Sequence, residues 1–501
     1  MDDEELWYRA VMTRDPRFDG WFFVAVTSTG IYCRPSCSSV TPRRSNVVFY
    51  PSAAAAQKAG FRACKRCRPD ASPASPEWDR RSDVVARAMV AIADGLVDRE
   101  GVGGLARHLG YSERHLGRLM SAELGAGPLG IARAQRAQTA RLLLEMTNLK
   151  MPEVAFAAGF SSVRQFNDTV RAIFAETPSA LRRRANRRSK EISSGSPISL
   201  RLAFREPLDA VELFSFLAAR AVPGLEEGSV AGYKRALSLP RGAGFVALAP
   251  PTPGERWLRA KVSLEDLRDL TAAVKRLRQL FDLDSDPDAV GEVLSSDPQL
   301  RPLVARRPGL RVPGATDGAE MCVRALLGQQ VSVAAARRLA GRLVSLHGEP
   351  LPAGLLAGGE TTVSARFPSP ERLGSLDPAS LAMPASRARA LVSLGRALTE
   401  GGVSLEPGVE RGEVARELRG LPGIGPWTVS YVAMRALSDP DAFLPNDLGV
   451  RRGLEALGLP GDPASALLAA DRWRPYRSYA VVHLWSAAGD RRVAPGKQEV
   501  A

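Results

Sequence analysis

The chain has 501 residues, with 68 Lys+Arg against 54 Asp+Glu and a formal net charge of +14; its isoelectric point is near 10.0. That length excludes a single hydrophobic core and implies roughly three to five domains. The charge disfavours an acidic small molecule as partner and favours a polyanion, nucleic acid ahead of a membrane surface. No run of about eighteen apolar residues occurs. The opening Met1-Asp2-Asp3-Glu4-Glu5 lacks the basic start and apolar core of a signal peptide. A cytoplasmic chain with no membrane partner is expected.

Strand-like alternation at Trp21-Phe22-Phe23-Val24-Ala25-Val26 opens a first segment that also carries four of the five cysteines, as Cys33-x3-Cys37 and Cys64-x2-Cys67. Cytoplasmic thiols stay reduced, so paired cysteines hold metal rather than form disulfides. A segment with few large apolar residues needs a cross-link, and tetrahedral zinc thiolate supplies one. Four thiolates on Zn²⁺ carry a net charge of about minus two, which repels phosphate and makes each sulfur nucleophilic. Cys322, in an apolar helical stretch, reads as a core residue. A Pro/Ser/Ala stretch, Ala71 to Pro76, closes the domain at about residue 75.

The run from Gly30-Ile31-Tyr32-Cys33-Arg34-Pro35-Ser36-Cys37 through Gly60-Phe61-Arg62-Ala63-Cys64-Lys65-Arg66-Cys67 resembles the metal domain of the bacterial Ada family. The resemblance implies zinc on Cys33, Cys37, Cys64 and Cys67. It also implies that Cys33 accepts a methyl group from a DNA methyl phosphotriester, and that the loss of one negative charge strengthens DNA binding. Arg34, Arg43, Arg44, Lys65 and Arg66 are the candidate phosphate contacts. A purely structural zinc is the alternative.

From about 80 to 188 the pattern is helical and repeats itself: Ala106-x3-Gly110-Tyr111-Ser112 recurs as Ala155-x3-Gly159-Phe160-Ser161. In each copy a short helix runs into a glycine turn, and Ser112 and Ser161 stand where the next helix needs its N-cap. That is helix-turn-helix grammar. A helical bundle using glycine turns for packing is the alternative. Two such units joined by a long helix, roughly Leu129 to Met146, resemble the AraC/XylS DNA-binding domain, as does Glu176-Thr177-Pro178-Ser179-Ala180-Leu181-Arg182, although that family usually has glycine where Glu176 stands. Arginine runs at 182–184 and 187–188 are solvated charge able to touch backbone phosphate. Residues 187 to 197 read as a linker.

A small α+β domain is predicted for about 195–305. Its strands are Ile198–Phe204, Gly244–Leu248 and Trp257–Val262, with helices around 208–220 and 264–281. From Asp317 onward the apolar spacing is helical almost to the end, in a domain at about 311–492. Leu421-Pro422-Gly423-Ile424-Gly425-Pro426-Trp427-Thr428 has the turn of a helix-hairpin-helix, whose backbone N–H groups face a DNA phosphate. Gly423 and Gly425 let the backbone approach the oxygen. Phe443-Leu444-Pro445-Asn446-Asp447 follows at the spacing of a catalytic aspartate in the helix-hairpin-helix glycosylases. With Arg311-Val312-Pro313-Gly314, Arg324 to Ser332 and Trp473 to Ala480, residues 197–492 are similar to 3-methyladenine DNA glycosylase II of the AlkA type.

Cutting an N-glycosidic bond builds positive charge on the sugar, which a carboxylate stabilises; the candidate is Asp447. The resemblance places Trp427, Tyr431 and Trp485 around a flipped base, where a cationic purine gains cation–π attraction. Alternatives are a solvated helix-terminal acid for Asp447 and a core tryptophan for Trp485. Trp427 stands where strand-cleaving relatives carry the Schiff-base lysine, so simple hydrolysis is expected. Gln330 occupies the position at which the AlkA prototype inserts a leucine wedge. The whole is a mainly α, multidomain fusion of a small zinc-bound α+β domain, a double helix-turn-helix, a small α+β sheet domain and an all-α glycosylase domain. Its expected partners are alkylated and promoter double-stranded DNA and RNA polymerase, with the chain a monomer. The rival is a transcription factor whose glycosylase half only binds DNA.

Overall fold

The computed structural model describes residues 4, 7–8, 11–12, 22–35, 37, 39–64, 66–67, 69, 83–93, 95–146, 149–186, 197–356, 360–405 and 411–490. Trp21, Lys65, the stretch 71–76 and nearly all of the linker at 187–197 lie outside them. No helix among the described residues is long and apolar enough to cross a membrane.

The first unit is a four-stranded sheet in the order β3-β1-β2-β4, from β1 (Phe23–Val26), β2 (Ile31–Cys33), β3 (Val47–Tyr50) and β4 (Arg62–Ala63), with α1 (Ala53–Lys58) between β3 and β4. The parallel pairing of β2 with β4 is decisive for the cysteines. Tyr32 lies opposite Ala63, and the Cys64 N–H donates to the Tyr32 carbonyl at 2.9 Å, so the residues that start the two cysteine pairs leave the sheet side by side.

The helical region runs α2 (Asp83–Ala93), α3 (Leu96–Leu109, broken at Gly101), α4 (Glu113–Leu124), α5 (Pro128–Met146), α6 (Met151–Ala157), α7 (Val163–Phe174) and α8 (Pro178–Asn186). Gly110 and Gly159 both take the left-handed backbone that ends the first helix of each unit. The long helix falls where expected. One expectation fails: Ser112 caps α4, accepting from the His115 N–H at 3.3 Å, but the second helix is capped by Ser162, which accepts from the Gln165 N–H at 3.2 Å. Ser161 instead bonds the Gln165 side chain at 3.0 Å. The second turn is one residue longer, so copying the register of the first misplaces the cap.

The sheet domain is antiparallel in the order β5-β9-β8-β7-β6, from β5 (Ile198–Ala203), β6 (Glu226–Ser229), β7 (Gly232–Leu239), β8 (Gly242–Ala249) and β9 (Trp257–Leu264), with α9 (Ala210–Arg220) after the first strand. The β6–β7 hairpin was not legible, because Glu226-Glu227-Gly228 lacks β-branched or aromatic residues. α10 (Leu270–Leu280) follows. α11 (Pro287–Ser295) and α12 (Arg301–Arg306) then leave the sheet: Val290, Leu294 and Val304 share a core with Trp473, Leu454 and Leu484. The remaining helices are α13 (Gly318–Gly328), α14 (Val333–His347), α15 (Pro370–Gly374), α16 (Ala385–Thr399), α17 (Arg411–Arg419), α18 (Pro426–Arg435), α19 (Leu448–Ala456), α20 (Pro463–Ala470) and α21 (Arg477–Asp490). A two-residue strand pair, Glu349–Pro350 with Ala365–Arg366, interrupts the helical run. Cys322 is fully buried in the core of α13, α16 and α18.

Candidate functional site

All four cysteines of the first unit are buried, and their Sγ atoms lie within 4.8 Å of one another. A tetrahedral zinc with Zn–S bonds of about 2.3 Å sets its sulfurs about 3.8 Å apart, so the cluster fits with small adjustment. Four soft thiolates with no oxygen ligand suit zinc and disfavour hard cations such as magnesium or calcium.

The basic residues nearby are less uniform. Arg43 and Arg66 are exposed and Arg34 is half-buried beside Cys33. Arg44 already has an acid: it ion-pairs with Glu4 at 2.6 Å and lies over the Tyr8 and Phe49 rings. Lys65 is outside the described residues. In the helical region Ser112 and Ser161 are both exposed at the starts of the second helices of their units.

The second site is a cavity of about 1350 Å³ between the sheet domain and the helical half, lined among others by Arg220, Gln330, Trp427, Tyr431, Asp447 and Trp485. All of its lining residues come from Arg220 onward. Asp447 is half-buried and N-caps α19, its Oδ1 accepting from the Val450 N–H at 3.0 Å. The same oxygen accepts from Trp485 Nε1 at 2.8 Å, and Oδ2 accepts from Trp427 Nε1 at 2.9 Å. The helix-terminal and cavity roles thus coincide in one carboxylate. Trp427 stacks on Tyr431 with ring centroids 5.0 Å apart, and Tyr431 tilts against Trp485 at 6.4 Å. Trp485 is therefore a cavity wall and not a purely core residue.

Glycine makes this arrangement sterically feasible. A Cβ on Gly449 would stand 2.6 Å from Trp485 Cδ1 and 3.0 Å from Asp447 Oδ1. On Gly453 it would meet the Leu484 carbonyl oxygen at 2.4 Å, so α19 and α21 touch backbone to backbone where they present Asp447 and Trp485. In the hairpin between α17 and α18, Gly423 has φ +78° and a Cβ there would reach Ala390 Cβ at 2.9 Å. Gly425 differs: its φ is −96° and a Cβ would find open space. It N-caps α18, where the first N–H groups have no intrahelical partner.

Gln330 is exposed at the cavity rim with φ +55°. Its neighbour Gln329 ties that rim to the hairpin, donating through Nε2 to the Gly423 carbonyl at 2.8 Å and to Thr428 Oγ1 at 2.7 Å.

Sequence reasoning missed what stands behind the aromatics. Phe216, on α9 of the sheet domain, stacks on Trp485 at 6.0 Å and 16°. Arg220 lies over Phe216 at 3.6 Å, and Arg435 lies over both Phe216 and Tyr431 at 5.0 and 5.5 Å. Deeper, Arg235 pairs with Glu226 and Glu320 at 2.9 and 2.7 Å, and Arg324 with the same two acids at 3.0 and 2.9 Å. Burial alone raises the Glu226 pKa, but Arg324 and Arg235 overcome it and hold the carboxyl at about 2. The signal for Phe216 and Arg220 was weak, because they lie on an amphipathic helix about 230 residues before Asp447.

Residues 6–70 match the family described as the metal binding domain of Ada, residues 105–184 a helix-turn-helix domain, and residues 199–317 the AlkA N-terminal domain. The chain is 52% identical over 97% of its length to a Mycobacterium tuberculosis protein described as a probable bifunctional transcriptional activator/DNA repair enzyme AlkA, of which it covers 96%. It is 35% identical over 58% of its length to DNA-3-methyladenine glycosylase 2 of Escherichia coli, covering 97% of that protein. The solved 3-methyladenine DNA-glycosylase from Archaeoglobus fulgidus superposes with a TM-score of 0.50 at 20% identity, over 58% of this chain and 99% of that one, and shows the shared fold. Zinc is the cofactor of the four-cysteine site. The chain belongs to the family of bifunctional transcriptional activator/DNA repair enzymes of the AlkA type, with an Ada-like zinc domain and helix-turn-helix ahead of a DNA glycosylase.

Proposed function

We propose that the glycosylase half is a monofunctional hydrolase that releases alkylated purines of the 3-methyladenine type, and that the zinc domain accepts methyl groups from DNA phosphotriesters on Cys33. One observation carries the first part: both indole N–H groups of the cavity hold the Asp447 carboxylate. Three donors commit its lone pairs and fix its direction, which suits stabilising charge on the deoxyribose more than abstracting a proton. As the C1′–N bond breaks, the bonding pair leaves with the base, and water adds to C1′ and gives up its proton. An alkylated purine is already cationic and departs neutral. Trp427, at the place of the Schiff-base lysine, supports hydrolysis without strand cleavage.

Cys33, Cys37, Cys64 and Cys67 would hold the zinc, which would keep their sulfurs anionic. Cys33 Sγ then attacks the methyl carbon, and the phosphodiester oxygen leaves with the bonding pair. Arg34, Arg43 and Arg66 support phosphate approach; Arg44 joins them only after releasing Glu4. The double helix-turn-helix reads promoter DNA, with RNA polymerase as the partner there, and the chain acts as a cytoplasmic monomer.

The test is Asp447→Asn on methylated duplex DNA. Base release falls by about 100-fold or more if the carboxylate stabilises the transition state; unchanged release removes Asp447 from the mechanism. Wild-type protein that occupies a promoter yet frees no base leaves the rival reading, a glycosylase half that only clamps DNA. For Cys33, mass spectrometry of its peptide after exposure to methylated DNA shows one added methyl group, and an unmodified peptide reduces the zinc to structure.

A further inference from the structure

The cavity's arginines are not equally engaged. Arg435 donates to the Pro313 and Gly314 carbonyls and to the Tyr431 hydroxyl, and Arg324 is held by Glu226, Glu320 and the Arg220 carbonyl. The Arg220 guanidinium donates one hydrogen bond among the described residues, to the carbonyl of Phe216 in its own helix at 3.4 Å. It covers the Phe216 ring at 3.6 Å. Arg220 lines the cavity and Phe216 does not, so the residue that borders the cavity at that wall carries a cation packed on the ring behind it. The wall adjoins the reacting centre: Phe216 stacks on Trp485, and Trp485 bonds Asp447. Burial and the nearby Arg435 and Arg324 push the Arg220 pKa down to about 10, with Tyr431 and Asp447 opposing, which leaves it charged at neutral pH. Among the described residues Arg235 and Arg324 ion-pair with Glu226 and Glu320, while Arg220 and Arg435 make no ion pair, and the carboxylate that bears on Arg220 is that of Asp447.

A fixed cation opposes a base that enters already positive. It helps a base that takes the bonding pair as an uncharged ring and leaves as an anion. A planar guanidinium also matches the paired O6 and N7 acceptors of a 6-oxopurine. We propose that Arg220 is a catalytic, specificity-determining residue that stabilises neutral 6-oxopurines as they depart as anions, set against the aromatic walls that favour cationic ones. In the step, the C1′–N9 bond breaks and the pair goes to the base. Water oxygen bonds C1′ and releases its proton, and the purine anion, paired with the guanidinium, takes up a proton from solvent. The inference rests on the glycosylase reading above.

The test uses the full-length zinc-loaded protein and two duplexes, one carrying hypoxanthine and one carrying 7-methylguanine, with single-turnover release measured on each. For Arg220→Met the hypoxanthine-to-methylguanine rate ratio falls at least 10-fold, while Arg220→Lys, which keeps the charge, falls less. Equal loss on both substrates assigns Arg220 to packing against Phe216 and overturns the proposal. So does an unchanged ratio. Thermal denaturation of both variants separates misfolding from chemistry, and the Lys variant keeps the proposal testable if the Met variant does not fold. Wild-type release of methylguanine without hypoxanthine sinks this inference alone; release of neither sinks the glycosylase reading beneath it.

Discussion

Gly449 sits against the carboxylate that the proposed chemistry depends on, because a Cβ there would meet both Trp485 and Asp447. Gly449→Ala is expected to slow base release by about 10- to 100-fold, since a misplacement near 1 Å at a reacting centre costs that much, with little change in DNA affinity. Single-turnover kinetics beside a binding titration check it, and a parallel loss of both would point to global misfolding. Glu226 lends itself to a pH experiment. Its folded pKa is depressed to about 2 from an ordinary 4.5, so its contribution is fully present above about pH 4.5 and is lost as pH falls toward 2. Urea unfolding followed from pH 6 downward is expected to show stability falling in that window. In Glu226→Gln the acid limb flattens, and stability at pH 7 is lower by about 3–5 kcal/mol, because Arg235 and Arg324 each lose a buried partner.

At the scale of elements, two helix ends separate what repeats in sequence from what repeats in space. Ser162→Ala removes a cap and is expected to cost about 1 kcal/mol, whereas Ser161→Ala, which deletes only a bond to the Gln165 side chain, costs a few tenths; chemical denaturation of the two side by side decides it. The α19–α21 contact is the more consequential element. Gly453 lets the two helices meet at the Leu484 backbone, and a side chain there has no low-strain solution. Gly453→Val is expected to destabilise by about 1–3 kcal/mol and to weaken the Trp485–Asp447 bond, with a changed tryptophan emission as the spectroscopic mark.

For the whole molecule, the zinc site and the base cavity use separate residues, yet one apolar core runs from Phe23, Tyr32 and Ala63 through Phe166 and Val170 and on to Leu200 and Leu258. Ser52 Oγ also donates to the Leu124 carbonyl at 2.5 Å, fastening α1 to the end of α4. Chelation is therefore expected to lower the melting temperature of the zinc domain and helix-turn-helix together. Base release changes less than about twofold, since the cavity's lining residues all come from Arg220 onward; a calorimetric scan and a base-release assay on the chelated protein check both. Much of this organisation was legible in the chain itself. The cysteine spacing, the doubled glycine turn and the hairpin followed by Asp447 are short-range patterns, in which local geometry and side-chain chemistry act over a few residues. The cap shift at Ser162, the β6–β7 hairpin, the packing of α11 and α12 into the C-terminal core, and the Phe216–Arg220 wall were decided by tertiary structure. Each depends on contacts between segments far apart in sequence, and a side chain's partner across about 230 residues is set by packing, which no local periodicity encodes.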